Sequence, residues 1–229
     1  MAITVMNRCE QKYFITEDLY DELMKKIESK LEKDKYFKET IYNIYFDNEN
    51  NELIYKSISK PIYKEKIRLR SYEVPKSNMV VFLEIKKKYK DITNKRRIAL
   101  EYSDLINYLD NGIMPNTNKQ ILSEIDYCFK RYNLKPVINI TYDRLAYKLK
   151  EDSNFRITFD NNIRYSLDEL KLSKLDDKNI LFNSGYIMEV KSLNGLPIWF
   201  NKILTELKIY PTSYSKINKI YAKIGGVYV

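Results

Sequence analysis

The sequence predicts an α+β fold in which a mainly antiparallel sheet, closed into a barrel or deeply curved, carries helices on its outside. Some segments alternate cationic and apolar residues with the period of two that is typical of β-strands, as in residues 64–72. Other segments space their apolar residues as a helix does, beginning with residues 16–31. At 229 residues the chain can bury one large core, so we expect a single domain over residues 1–229.

The charged residues of the predicted strands fall on one side. Successive strand side chains point to opposite faces, so Lys66, Arg68 and Arg70 share one face while Ile67 and Leu69 share the other. A solvated sheet edge would explain one such strand, but several of them predict a surface built for a polyanion, most simply a barrel with a charged lumen. The same arrangement recurs at residues 83–88, 155–160 and 188–191.

The predicted helix boundaries follow from capping residues. Thr16 suits the N-cap of a first helix whose apolar stripe extends to Leu31. Ser103 and Gly112 are the expected start and stop of another helix, and Pro197 is expected to open a third. The remaining predicted helices comprise residues 121–132 and 215–224.

Strands are predicted where the alternation is clearest. Two polar segments, residues 47–51 and 75–78, have the composition of turns between strands. The predicted strands comprise residues 8–15, 40–46, 62–73, 79–88, 93–102, 137–147, 155–160 and 186–191.

The composition restricts the possible chemistry. A formal net charge of +9 favours anionic partners. The chain has no histidine and only two cysteines, Cys9 and Cys128, which excludes Cys/His zinc sites and histidine-based catalytic triads. Any metal site must therefore use carboxylates, which suit Mg²⁺ or Mn²⁺. The sequence shows neither a disulfide framework nor a membrane span or signal peptide, so we expect a cytoplasmic protein.

Seven short segments occur in the order found in one family of phosphate-binding proteins. The segments are Arg8-Cys-Glu10-Gln-Lys12-Tyr13, Tyr45-Phe46-Asp47-Asn48, Lys66-Ile-Arg68-Leu-Arg70-Ser-Tyr72, Phe82-Leu-Glu84-Ile-Lys86, Tyr142-Asp-Arg144-Leu-Ala146, Arg156-Ile-Thr158-Phe-Asp160 and Met188-Glu189-Val-Lys191. Together they extend over most of the chain, and through them the chain resembles the VTC domain, the polyphosphate polymerase branch of the triphosphate tunnel metalloenzymes in the CYTH-like superfamily.

The resemblance implies an eight-stranded antiparallel β-barrel, the triphosphate tunnel, whose lysines and arginines bind a triphosphate while glutamate holds Mn²⁺ or Mg²⁺. It also implies transfer of the γ-phosphoryl group of ATP onto a growing polyphosphate chain. ATP and polyphosphate or triphosphate are thus the expected ligands. Nucleic acid is not expected, because the cations alternate with aliphatic residues rather than with the aromatic residues that stack on bases.

The resemblance also implies site residues. Glu189 matches the metal ligand, and Glu84 and Glu10 are further candidates, although Glu84 and Glu189 could instead be salt-bridge partners of lysines and arginines. The positions that match phosphate ligands, and are the expected catalytic residues, are Lys12, Arg68, Arg70, Lys86, Lys95, Arg144, Arg156 and Lys216. Those also expected to contact the cofactor are Lys12, Arg68, Arg70, Lys86 and Arg156.

Other functions remain open at this point. A hydrolase or cyclase acting on tripolyphosphate, thiamine triphosphate or ATP would use the same tunnel, and a noncatalytic polyphosphate-binding module would need only the cations. The chain also departs from the family near its C-terminus. Where the family tends to have Lys-x-x-Lys, this chain has Ser213-Tyr-Ser-Lys216, so one expected cation is replaced and Lys219 is the nearest substitute.

Overall fold

The computed structural model describes residues 8–59, 61–90, 92–117, 119–176, 179–182, 184–193 and 195–225. These residues form eight β-strands and six α-helices, which confirms the predicted α+β class. The strands are β1 (Arg8–Ile15), β2 (Leu31–Asp47), β3 (Tyr63–Ser71), β4 (Val80–Tyr89), β5 (Ile92–Glu101), β6 (Lys135–Leu149), β7 (Arg156–Ser166) and β8 (Tyr186–Leu193). The helices are α1 (Glu17–Ile27), α2 (Glu52–Ile58), α3 (Tyr102–Asn111), α4 (Lys119–Tyr132), α5 (Ile198–Glu206) and α6 (Lys216–Gly225).

All eight strands belong to one sheet, in the order β1-β8-β7-β6-β2-β3-β4-β5. The pairs β1 with β8, β2 with β3, β3 with β4, β4 with β5 and β7 with β8 are antiparallel, as predicted. The register sets Arg68 opposite Glu84 and Ile67 opposite Ile85. Because side chains directly opposite each other project from the same face, the charged and apolar residues separate as the alternation predicted.

The first helix begins as predicted but ends earlier. The hydroxyl of Thr16 accepts a hydrogen bond from the backbone N–H of Leu19 at 3.3 Å, as expected of an N-cap. The assignment of Leu31 to this helix was wrong, since α1 ends at Ile27 and a 3₁₀ turn, Glu28–Lys30, leads into β2. Leu31 is buried in the same core as α1, so its spacing reflects a shared core and not a shared helix.

The segment at residues 47–51 leads directly into α2, a short helix that the sequence patterns did not predict. The buried carboxylate of Asp47 organises this start. It accepts hydrogen bonds from the backbone N–H groups of Asn48 at 2.8 Å, Leu53 at 3.0 Å and Ile54 at 2.8 Å. An aspartate at the end of β2 thus satisfies two of the open N–H groups in the first turn of the helix.

Helix α3 is correctly predicted to end at Gly112, which has a left-handed φ of 70°. Its predicted N-cap, Ser103, was wrong, because Glu101 occupies that position and the helix begins at Tyr102. The backbone N–H groups of Tyr102 and Ser103 donate to the carbonyls of Met79 and Ser77 in the loop between β3 and β4, so no side-chain cap is required. Pro197 precedes α5 as predicted. Among the helices of the described ranges, none has both the length and the apolar character that a membrane crossing requires.

The chain forms two compact units, and the expectation of a single domain stays a prediction. The first unit comprises the residues up to Glu39, Tyr142–Ile163 and Phe182–Ser215, and the second comprises Thr40–Thr141, Arg164–Leu181 and the residues from Lys216 onward. In the first unit, α1 and α5 cover the apolar face of β1, β7 and β8. In the second, α3 and α4 cover the apolar face of β2 to β5. Each unit therefore has one helix-covered face and one charged face.

Candidate functional site

On the charged face of the second unit, cations surround one buried glutamate. Glu84 is 2% exposed, and its Oε2 lies 2.6 Å from Nε of Arg68. Its Oε1 lies 2.8 Å from Nζ of Lys95, which reaches Glu84 from the neighbouring strand β5. We call Arg68, Arg70, Glu84 and Lys95 the Glu84 cluster. It unites three of the predicted phosphate ligands with one predicted metal ligand.

The charges of the Glu84 cluster determine its ionisation. Burial alone would raise the pKa of Glu84, but the charges of Arg68, Arg70 and Lys95 outweigh burial and lower that pKa to about 2. The pKa of Lys95 is also lowered, first by burial and then by the neighbouring Arg68. Glu84 is therefore ionised at neutral pH within a surplus of positive charge, which favours binding of an additional anion.

Neutral side chains hold the two arginines of the Glu84 cluster. Arg70 is buried and donates from Nε to Oδ1 of Asn43 at 2.9 Å. Arg68 donates from Nη1 to the Tyr45 hydroxyl at 3.2 Å. Both partners are on β2, opposite the arginines they contact. Such contacts fix the guanidinium planes without neutralising their charge.

Lys86 and Lys216 are the other predicted ligands of the second unit. Lys86 is paired across the sheet with Lys66 and Lys95, so it lies on the same face as the Glu84 cluster. Lys66 donates from Nζ to Oδ1 of Asn218 at 2.8 Å, which connects this face to α6. Lys216 is the first residue of that helix. The structure thus brings α6 to the charged face.

On the charged face of the first unit, a second glutamate is surrounded by cations. Lys12 is paired with Glu189 across β1 and β8, and Glu10 is paired with Lys191, so all four lie on one face. Nζ of Lys191 lies 2.6 Å from Oε1 of Glu189. We call Lys12, Glu189 and Lys191 the Glu189 cluster. Burial opposes ionisation of Glu189, but the charges of Lys191, Lys12 and Arg144 prevail and hold its pKa well below the usual range.

The two predicted arginine ligands of the first unit are paired with aspartates. Arg144 donates from Nε and Nη2 to the two carboxylate oxygens of Asp160, at 2.6 and 2.8 Å. Burial would lower the pKa of Arg144, but Asp160 outweighs it and raises that pKa. Nε of Arg156 lies 2.8 Å from Oδ2 of Asp34, and Nζ of Lys148 lies 3.1 Å from Oδ1 of the same aspartate.

The structure thus divides the predicted residues between the two units. Those in the first unit are Glu10, Lys12, Arg144, Arg156 and Glu189, and those in the second are Arg68, Arg70, Glu84, Lys86, Lys95 and Lys216. Sequence reasoning missed Asn43 and Asp34 as partners of arginines. Asn43 and Tyr45 are two residues apart on β2 and so share a face, and this spacing could have identified Asn43 as a neighbour of the arginines. Asp34 lies in the part of β2 that lacks regular alternation, so no pattern identified it.

The donor chemistry fits a divalent ion at Glu189. Among the described residues no three or more His, Cys, Asp or Glu side chains are grouped to hold a metal. Mg²⁺ does not need such a group, because it keeps several waters and binds through one or two carboxylates together with substrate phosphates. The low pKa of Glu189 keeps this carboxylate anionic, as a metal ligand must be. Glu10 is exposed on the same face, diagonal to Glu189.

The VTC domain family matches residues 7–224 of the chain. One curated relative is subunit 4 of the vacuolar transporter chaperone complex of Trypanosoma brucei brucei (strain 927/4 GUTat10.1), which is 26% identical over 162 residues. The match covers 58% of this chain and 20% of that protein, so the chain spans about a fifth of the length of this relative.

Two solved structures have a similar fold at low sequence identity. A candidate adenylate cyclase from Bacillus halodurans has a TM-score of 0.57 and 14% identity, with 92% of this chain and 95% of that chain covered. A candidate adenylyl cyclase from Hippeastrum, described as having a dominant triphosphatase activity, has a TM-score of 0.55 and 13% identity, with 96% of each chain covered. At these identities the likeness shows a shared fold alone.

Proposed function

Because the chain belongs to the VTC domain family, we propose that it is an ATP-dependent polyphosphate polymerase that transfers the γ-phosphoryl group of ATP onto a growing polyphosphate chain. The observation that carries this proposal is the pair of clusters on the charged faces. Each surrounds one ionised glutamate with lysine or arginine, and both glutamates lie in segments through which the chain resembles the family. The relationship to a subunit of a vacuolar transporter chaperone complex supports a role with polyphosphate.

The residue types suit phosphoryl transfer. This reaction requires positioning and neutralisation of phosphate oxygens more than a covalent nucleophile, so the lack of histidine is no obstacle. Arg68 and Arg70 present planar guanidinium groups that can bind two phosphate oxygens at once, whereas Lys12 and Lys95 act as point charges. In this proposal the phosphates bind cations that also contact Glu84 or lie beside Glu189.

Glu189 would hold the divalent ion, together with phosphate oxygens and water. When bound, Mn²⁺ or Mg²⁺ would neutralise charge on the transferred group. The chain's own contribution is to keep Glu189 ionised and oriented, through Lys12 and Lys191, beside the cations that bind phosphate. Glu84, held by an arginine and a lysine, keeps those two cations in position.

The test is to incubate the protein with ATP and Mn²⁺ or Mg²⁺ and to separate ADP, AMP, free phosphate and polymer. We expect ADP and long polyphosphate. Glu189→Gln should reduce the rate on the order of a hundredfold, because an amide is a poor metal ligand. Glu206→Gln, at an exposed ion pair on α5, is the matched control and should leave the rate unchanged. Near-normal turnover in Glu189→Gln would exclude its metal role.

A hydrolase acting on the same triphosphates is the second candidate. It is favoured by the Hippeastrum protein, whose described activity is that of a triphosphatase on a similar fold. Hydrolysis differs from polymerisation only in that water replaces the polyphosphate chain as acceptor. Release of free phosphate without polymer, in the same incubation, would select the hydrolase.

A further inference from the structure

The second unit contains a cavity of about 750 Å³ on the helix-covered side of the sheet, away from the charged face. Ile44 of β2 and Leu69 of β3 line it from the sheet. Ile106 and Leu109 line it from α3, and Phe129 lines it from α4. These residues are apolar and come from separate elements, so the cavity is a half-open space between the sheet and the two helices. Neither cluster described above contributes to it.

The size and lining of the cavity are those of a small-molecule site. Pockets for small ligands usually enclose about 300 to 1,000 Å³ and are mostly apolar. Water gains little in an apolar cavity because it needs several polar partners there. Ile44 and Leu69, which are 2% and 3% exposed, form the floor of the cavity, and Ile106, which is 37% exposed, lies at its open rim. An apolar group is therefore the occupant that this interior favours.

The charges around the cavity indicate which head group a ligand with an apolar chain would carry. Its charged lining residues are Lys130, Lys135 and Lys171 with Asp110 and Asp126. Asp126 is already engaged, since it pairs with Lys130 at 2.8 Å and accepts from the Tyr108 hydroxyl at 3.0 Å. That leaves Lys135 and Lys171 against Asp110, a surplus of one positive charge. Among the described residues, neither of these two lysines has a carboxylate partner.

The geometry points to a binding site for an amphiphile with one apolar chain and one negatively charged head group, such as a fatty acid. The chain fills the space between α3, α4 and the sheet, and the head group lies at the exposed ammonium groups of Lys135 and Lys171. This site is independent of the proposed polymerase activity, because it shares none of the residues proposed for that reaction.

The test is calorimetric titration with dodecanoate below its micellar concentration. We expect one saturable site per chain. Dodecyltrimethylammonium, which carries the same chain with the opposite charge, should bind about tenfold more weakly or less, because it meets the surplus positive charge. Equal binding of the two probes would overturn the assignment of the head-group site. Absence of saturable dodecanoate binding would overturn the whole proposal.

Variants locate the site. Ile106→Trp on α3 places a large ring in the cavity and should weaken dodecanoate binding by about tenfold or more. Ile198→Trp, at an exposed position of α5 in the other unit, is the matched control and should bind as the unmodified chain does. Leu109→Trp provides a second filled cavity in case Ile106→Trp does not fold. Unchanged binding in a folded cavity-filling variant would place the ligand elsewhere and exclude this site.

Charge reversal tests the head-group contacts separately. The double variant Lys135→Glu and Lys171→Glu should reverse the preference, so that dodecyltrimethylammonium binds better than dodecanoate. Both lysines are exposed, so their replacement leaves the core intact. A preference for dodecanoate that survives this double change would contradict the proposed contacts.

Discussion

Lys95 and Arg96 are neighbours in β5 but form ion pairs on opposite faces of the sheet. Nζ of Lys95 lies 2.8 Å from Glu84 on the charged face, whereas Nη1 of Arg96 lies 3.2 Å from Glu124 of α4 on the helix-covered face. Their side chains are similarly exposed, at 43% and 37%. Lys95 and Arg96 are therefore cations of similar exposure, and only Lys95 faces the proposed phosphate site.

Tripolyphosphate should stabilise the protein through Lys95 and not through Arg96. At a hundredfold excess over the dissociation constant, binding to the folded state alone adds about 2.7 kcal/mol, a melting shift of roughly 5 to 11 °C for a chain of this size. Lys95→Ala should weaken binding about tenfold and so leave about 1.4 kcal/mol of stabilisation at the same concentration. Differential scanning fluorimetry measures both shifts.

Arg96→Ala is the control for this measurement and should retain the full shift. Orthophosphate at matched ionic strength should shift the melting temperature less than tripolyphosphate does. If both variants lost the shift equally, or both anions acted equally, the binding would be due to diffuse surface charge.

Asp160→Asn should destabilise the fold strongly. The change removes the buried carboxylate that binds Arg144 through two hydrogen bonds, and it leaves the half-buried guanidinium without this counter-charge. Breaking a buried ion pair from one side typically costs about 3 to 5 kcal/mol. Urea unfolding of the two proteins measures this difference.

Glu206→Gln is the control for that loss. The pair of Glu206 with Lys26 is 2.8 Å long, comparable to the Arg144 pair, but it is exposed on both sides. Exposed pairs contribute about 0 to 1 kcal/mol, so this variant should unfold near the urea concentration of the unmodified chain. A similar effect of both substitutions would show that burial of Arg144 is unimportant.

Glu84 should make the second unit sensitive to acid. Its pKa is about 2 in the folded protein and about 4.5 when unfolded, so the unfolded chain takes up the proton first. The ionised Glu84 therefore contributes on the order of 3 kcal/mol to the free energy of unfolding. This stabilisation is fully present above pH 4.5 and is lost as the pH falls towards 2. The free energy of unfolding, measured between pH 6 and about 3, should therefore change less with pH in Glu84→Gln than in the unmodified chain.

Glu52→Gln serves as the comparison for the acid experiment. Glu52 also has a lowered pKa, chiefly through its hydrogen bond from Lys56, but its side chain is 40% exposed. Solvent screens such a pair, so its removal should hardly change the pH dependence. If Glu84→Gln had no larger effect than Glu52→Gln, the cations would not act on Glu84 as described.

Ser213→Lys should strengthen binding of long polyphosphate. The segment around Ser213 is held beside Lys12, because the backbone N–H of Thr212 donates to the Lys12 carbonyl at 2.7 Å. Nζ of Lys12 also donates to the Tyr214 carbonyl at 3.2 Å. A new cation there adds to the positive charge beside Lys12, and one charged hydrogen bond of about 1.5 to 3 kcal/mol corresponds to tenfold affinity or more.

Nucleotide affinity should remain nearly unchanged in Ser213→Lys, since we propose that Arg68 and Arg70 bind the triphosphate. Lys216→Ala should weaken the binding of both polyphosphate and ATP. Equilibrium binding of labelled polyphosphate and of ATP measures these differences. No change of either affinity in Ser213→Lys would mean that the segment near Lys12 lies off the polymer path.

The sequence by itself determined the strand faces and the family. Alternation in β3 and β4 separated Arg68 and Glu84 from Ile67 and Ile85, because the two-residue period of a strand is a local property that needs no partner. The order of the short motifs then identified the VTC domain without any distances. Helix ends were predicted well where a local residue sets them, as at Thr16 and Gly112.

Tertiary structure alone decided which charges meet. The pairing of Arg144 with Asp160, and of Arg156 with Asp34, depends on strand positions far apart in sequence, which no local pattern contains. The start of α2 also depends on a contact outside the usual capping pattern, because Asp47, at the end of β2, accepts from the backbone N–H groups of Leu53 and Ile54. Buried charges and open backbone N–H groups must find partners wherever the fold brings them, so these contacts are a property of the packed sheet and not of any single segment.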